Sequence, residues 1–108
     1  SNQVIAVLDM GYTLLEDCGF TRNEAVRATG QLVMRNIENV LEAGCDGALT
    51  GPIERNDIET VKKHIACMQN DYSDDVRLYK MLGTKLVNIA EKKNPDKDYT
   101  QMMELLRG

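Results

Sequence analysis

Leu49-Thr50-Gly51-Pro52-Ile53-Glu54-Arg55-Asn56-Asp57-Ile58-Glu59-Thr60-Val61-Lys62-Lys63-His64 is the stretch on which the reading of this chain turns. Gly51-Pro52 stops any helix that arrives from the N-terminal side, since proline has no N–H and pushes the residue before it out of the helical region. A new helix then starts at Asn56 or Asp57, either of which can accept from the free N–H groups of the first turn, and Glu59 is spaced to close a capping box on Asn56. Within the new helix Ile58, Val61, Ile65 and Met68 share one face and Lys62, Lys63 and Ala66 the other. Thr60 and His64, four residues apart, fall on the border between them. A polar side chain at such a border can be braced by the core and still look into a cleft; its plainer role is a satisfied boundary residue.

The remaining chain reads as helix on both sides of this loop. Val4, Ile5, Leu8, Tyr12 and Leu15 trace a stripe, widened by Val7 and Leu14, over a first helix from about residue 2 to Cys18. Gly19 ends it, and Thr21 with Glu24 makes a capping-box start for a second helix from Arg22 to about Ala43, with Ala25, Val26, Leu32, Val33, Ile37, Val40 and Leu41 as apolar positions. Gly44-Cys45-Asp46-Gly47 terminates it. After the central window, Asn70-Asp71-Tyr72-Ser73 is a turn, and Ser73 or Asp74 is expected to cap a helix running to about Lys93, with Val76, Tyr79, Leu82, Leu86, Ile89 and Ala90 on its buried side. Asn94-Pro95-Asp96 stops that helix; Asp98 caps a last short one from Tyr99 to Arg107, which buries Met102, Leu105 and Leu106. No stretch reads as a strand. The expected fold class is all-α, a bundle of about five helices in a single domain.

Bulk composition narrows the functions open to it. A formal net charge of -4 over 108 residues argues against nucleic acid or an anionic membrane surface as partner, and no apolar run is long enough to span a bilayer. Gly44-x-x-Gly47 lacks the flanking strands and basic charge that an RNA-binding loop of that kind needs. Cys18, Cys45 and Cys67 are odd in number and contain no Cys-x-x-Cys, as expected of reduced thiols in a cytoplasmic protein. His64 is the sole histidine, so with Cys67 it offers two zinc ligands rather than four, and no metal is expected. Glycines at 11, 30 and 83 sit inside helices, where each costs about 1 kcal/mol relative to alanine. They suggest close helix crossings, kinks or an approach by another chain, and six methionines with no tryptophan would suit an adaptable interface.

The run Leu49-Thr50-Gly51-Pro52, then Arg55, Asp57, Glu59-Thr60-Val61 and His64, followed by the Leu78-Tyr79 pair, resembles the C-terminal helical domain of a family of NAD(P)-dependent oxidoreductases with a Rossmann-like N-terminal half. In that family the C-terminal half is catalogued as a domain of unknown function, and its architecture is similar to the 6-phosphogluconate dehydrogenase, ketopantoate reductase and pyrroline-5-carboxylate reductase group. The resemblance extends from Ser1-Asn2, as the opening of the first helix, to about Ala90. It departs at Asn56, where the family usually has glycine; asparagine is the side chain that best tolerates the left-handed backbone such a glycine would adopt.

The resemblance implies a substrate-cleft and dimerisation domain whose Rossmann half lies in another part of a longer polypeptide. It implies NADP or NAD held mainly by that half and none by this chain alone, a small-molecule substrate, and a homodimer paired through the helical half. Thr50, Gly51, Pro52, Arg55, Asp57 and Thr60 would then face substrate or cofactor. Arg55 would hold a carboxylate or phosphate with its fork of donors; His64 would be the general acid, and Asn2, if native, would orient the same oxygen. Asp57 would cap the helix and fix Arg55. This chain has no Gly-x-Gly-x-x-Gly, Walker lysine or nucleophile elbow, so taken alone it is not expected to turn over substrate. The alternative is a stand-alone helical dimerisation or interaction module, for which the loop is only a connection. A small all-helical mutase with an arginine clamp ranks last, because the spacing of Arg27, Arg35, Arg55 and Arg77 does not resemble chorismate mutase.

Overall fold

The computed structural model describes residues 2–69 and 71–108, and the parts of the expectations above that fall on Ser1 and Asn70 lie outside them. The protein is all-α. Its five helices are α1 (Asn2–Asp17), α2 (Arg22–Ala48), α3 (Ile58–Met68), α4 (Ser73–Lys93) and α5 (Thr100–Arg107), with no strand among the described residues. The chain divides into two compact units, one up to Leu41 and one from Glu42 to Gly108.

In the first unit, helix ends follow local chemistry. The C-terminus of α1 is closed by a paired 6→1 and 5→2 bond, Phe20 N–H to Leu15 O at 3.1 Å and Gly19 N–H to Glu16 O at 3.0 Å, with Gly19 at φ 106°. α2 starts on the expected reciprocal box, Glu24 N–H to Thr21 Oγ1 at 3.1 Å and Thr21 N–H to Glu24 Oε1 at 2.9 Å. Those two bonds from Thr21 hold the Glu24 carboxyl below its ordinary range. Arg22 stitches the turn by pairing with Asp9 and Glu16, each at 3.0 Å, while its guanidinium lies 5.6 Å from the centre of the Tyr12 ring.

The apolar stripes of these two helices do not make a core. Ala25 is the one buried residue among those described in α1 and the first-unit part of α2, while Ile5 stays 67 %, Leu32 62 % and Leu41 83 % exposed. Val4, Val7, Val26, Ile37 and Val40 are exposed as well, contrary to the buried stripe that periodicity suggests. Periodicity identifies a face that prefers to leave water; it does not supply the surface that covers it. Further along α2, the helical path breaks at Gly44, at φ 73° and ψ 175°, as the glycine-rich terminator predicts, and a last turn follows to Ala48.

The second unit has a continuous core. Ile53, Val61, Ile65, Val76, Val87, Ala90, Tyr99, Met102 and Leu106 are buried together, with Ile58, Met68, Tyr79 and Leu86 packed on them. The expected face of α3 is the observed one. In α4 Val76 and Ala90 are buried and Tyr79 and Leu86 pack on the core as expected, but Gly83 and Val87 are buried too while Leu82 is 37 % exposed, so the buried face reaches further round than expected. Gly83 is the cause: a Cβ there would come within 2.8 Å of Leu106 Cδ2, so α5 closes directly over the glycine backbone. Two cap expectations shift by a residue. α4 already begins at Ser73, with Tyr72 at the cap position, so neither Ser73 nor Asp74 caps it. α5 begins at Thr100, and Asp98 Oδ1 accepts from both its N–H, at 2.9 Å, and its Oγ1, at 2.6 Å.

Candidate functional site: the 50–57 loop and the edge of helix α3

Gly51 enters the loop at φ 107°, in the left-handed region, and Pro52 opens a single helical turn, closed by Arg55 N–H to Gly51 O at 3.0 Å. That turn ends as a helix would. Asp57 N–H reaches Pro52 O at 2.8 Å and Asn56 N–H reaches Ile53 O at 3.1 Å, the same bond pair that closes α1. The residue at the left-handed position of this motif is Asn56, at φ 61°. Asparagine therefore stands where glycine is favoured, and it makes a bond that glycine lacks, Nδ2 to the carbonyl of Asp98 at 2.8 Å. With its side chain so employed, Asn56 does not form the capping box with Glu59. The cap of α3 is Asp57, whose Oδ1 accepts from Thr60 N–H at 3.1 Å and whose Oδ2 accepts from Thr60 Oγ1 at 2.7 Å.

The loop is clamped from the C-terminal side. Lys93 Nζ donates to Leu49 O at 2.6 Å and Tyr99 Oη to Glu54 O at 2.6 Å. The Glu54 side chain, 12 % exposed, meets Asn94 at 3.0 Å, Lys97 at 3.5 Å and Lys93 at 3.6 Å. Burial alone would raise the Glu54 carboxyl, but the bond from Asn94 and the charges of Lys93 and Lys97 bring it below its ordinary value. Ile53 anchors the turn in the core.

On this scaffold the polar residues form an edge. The carboxyl of Asp57 is held below its usual range by the two bonds from Thr60, against a smaller opposing effect of burial, and by the nearby charges of Arg55 and Lys63. Thr60 thus takes both carboxylate oxygens, and Arg55, exposed, meets Asp57 through its charge with no ion pair among the described residues. One turn beyond Thr60 on α3, His64 is exposed. Its Nδ1 lies 2.9 Å from the hydroxyl of Tyr79 on α4, and the two rings meet edge to face, 5.9 Å between centres at 83°. Tyr79 is half-buried, and that burial raises its phenol above the ordinary value.

Of the residues singled out from sequence, Thr50, Gly51, Pro52, Arg55, Asp57, Thr60 and His64 all belong to this loop and the helix it starts. Asn2 belongs to the other unit, as the exposed first residue of α1. Tyr79 is the residue that sequence reasoning passes over as a member of the apolar stripe. It is noticed only as the second half of Leu78-Tyr79, and its pairing across two helices has no local signature. No three His, Cys, Asp or Glu side chains converge as a metal site among the described residues, and none of the helices described is long and apolar enough to cross a membrane.

A family model described as a domain of unknown function (DUF2520) matches residues 1–86. No curated protein and no solved structure matches the chain.

Proposed function

Because the chain belongs to the DUF2520 family, whose description assigns no activity, we propose a function from its own residues: it is the cleft-lining and subunit-pairing helical half of a two-domain NAD(P)-dependent oxidoreductase that acts on a small molecule. The observation that carries the pairing role is the first unit, where ten large apolar side chains, from Val4 to Leu41, stay exposed around a single buried alanine. A surface of that kind marks a protein contact. Its occupant is a second copy of the chain. Supporting this, Gly11 and Gly30 have open space where a Cβ would stand, so no contact among the described residues explains these two helical glycines, whereas Gly83 is explained by α5.

The cleft role rests on the resemblance and on the edge of α3. Among the described residues there is no strand to carry a dinucleotide phosphate loop, so NAD or NADP binding falls to a Rossmann-like N-terminal half. What this chain fits is the closing wall. Thr50, Gly51 and Pro52 shape the loop there, Arg55 offers a guanidinium that has no ion pair among the described residues to a substrate carboxylate or a cofactor phosphate, and His64 offers a ring nitrogen to a reacting oxygen. A nicotinamide held by the Rossmann-like half would supply hydride; His64 would deliver the proton, and Asp57 and Thr60 hold the helix start that would aim it.

Two measurements test this reading. Sedimentation of the chain should give twice its 12.1 kDa mass, and a monomer at micromolar concentration would overturn the pairing role. The protein at its natural length should bind NADH or NADPH, with Arg55→Ala and His64→Ala abolishing turnover but leaving folding and dimerisation intact. A natural mass near 12.1 kDa would instead favour the stand-alone pairing module, for which those variants have no activity to lose.

A further inference from the structure

We infer that Tyr79 is a positioning residue for His64, selecting the form of the ring that points an N–H outward. The two residues meet through the 2.9 Å contact between His64 Nδ1 and the Tyr79 hydroxyl. In a neutral imidazole one nitrogen carries hydrogen and the other accepts. The hydroxyl can meet either form, but a phenol O–H is a stronger donor than its oxygen is an acceptor, so the neutral pair favours O–H to Nδ1 with the hydrogen on Nε2, the nitrogen not engaged by Tyr79. When the ring takes up a second proton, Nδ1 becomes a donor, and the same hydroxyl rotates to accept from it, since a phenol oxygen does both. A carboxylate at this place would favour the charged ring; a hydroxyl serves both charge states and leaves the proton free to move. The edge-to-face packing of the two rings limits rotation of the imidazole, and half-burial of Tyr79 fixes the partner.

The chemistry so presented is a directed N–H donor for an oxygen of a carbonyl or of a reduced alkoxide product. It deepens the reading of His64 as the cleft acid, on which its catalytic meaning rests, but the arrangement itself is measurable without turnover. Since His64 is the single histidine of the chain, its ring nitrogens give one unambiguous set of NMR signals.

The decisive comparison is the native chain against Tyr79→Phe, which keeps the ring packing and removes the hydroxyl. At a pH where the imidazole is neutral, the native nitrogen shifts should show hydrogen on Nε2 and an accepting Nδ1. In Tyr79→Phe the ratio of the two neutral forms should relax by roughly fivefold, the factor that one ordinary hydrogen bond sets. Backbone amide spectra and unfolding midpoints of the two proteins should agree, and if Tyr79→Phe disturbs the fold, the nitrogen shifts of the native chain still decide, since they must show a hydrogen-bonded, accepting Nδ1. Unchanged nitrogen shifts in Tyr79→Phe, or hydrogen mainly on Nδ1 in the native chain, would overturn the inference. In the full-length enzyme, Tyr79→Phe should lower kcat with KM nearly constant. If His64→Ala there retains full turnover, the cleft-acid reading fails instead, whatever the nitrogen shifts show.

Discussion

Asn56 shows how one side chain can satisfy two demands. Its backbone takes the left-handed conformation that closes the loop, and its amide ties that loop to the carbonyl of Asp98. Alanine would keep neither benefit, so Asn56→Ala should lower unfolding stability by about 1–2 kcal/mol in denaturant titration, the range of a left-handed non-glycine residue. Glycine recovers the backbone and loses the amide bond, so Asn56→Gly should fall within about 1 kcal/mol of the native chain. The left-handed role of Asn56 is legible only through the resemblance, in which glycine usually holds the position, since its residue type alone suggests a helix cap. Its long reach to residue 98 is not, since a bond to a main-chain carbonyl leaves no trace in residue type.

Glu54 belongs to the same scale. Its carboxyl is lower in the folded chain than in the unfolded one, so its contribution is fully present above its unfolded pKa, about 4.3, and is lost as pH falls through the folded value. Glu54→Ala should therefore destabilise the chain by about 1 kcal/mol at neutral pH. The gap should close in thermal melts taken below about pH 4. Asp57 and Asp98, both lowered by bonds from the helix starts they cap, have the same sign and steepen the acid limb for the chain as a whole.

Helices begin and end here largely where local chemistry requires, at Thr21 with Glu24, at Gly19, at Gly44 and at Asp57. These stops are legible because capping acts within a turn of chain. The buried face of α4 is less so, since it centres on Gly83, a residue with no hydrophobic signature that is buried because α5 needs the room. The three helical glycines now separate into two kinds, with opposite responses to alanine. Gly83→Ala should cost about 1–2 kcal/mol in unfolding free energy, as the strain against Leu106 exceeds the gain in helix propensity. Gly30→Ala meets nothing among the described residues and should make the isolated helix more stable by up to about 1 kcal/mol. It should also weaken self-association in sedimentation equilibrium if a second copy approaches there.

For the whole molecule, the family match and the folding unit have different extents. The match stops at residue 86, yet Val87, Ala90, Tyr99, Met102 and Leu106, five of the nine residues of the core cluster, come after it. A chain ending at residue 86 should therefore show little cooperative melting by circular dichroism, while the 108-residue chain melts in one or two sharp transitions. All-α character is readable from 3.6-residue periodicity along the entire chain. Its division into a unit with a core and one with almost none is not, because α1 and α2 carry apolar stripes as α3 and α4 do, and a stripe does not say what covers it.

The clamp on the loop has an evolutionary side. Lys93 holds the carbonyl of Leu49, Tyr99 holds the carbonyl of Glu54, and Asn56 holds the carbonyl of Asp98. Every residue type carries that acceptor, so each bond constrains the donor and leaves the identity of the acceptor residue free. Mutations can accumulate at 49 and 98 without loosening these particular ties, provided the backbone path persists. The tail is thus tied to its letters where it donates, at Lys93 and Tyr99, and these bonds leave it free only at 98, so a comparison made by letters should look for those two donors behind the most distinctive motif of the chain.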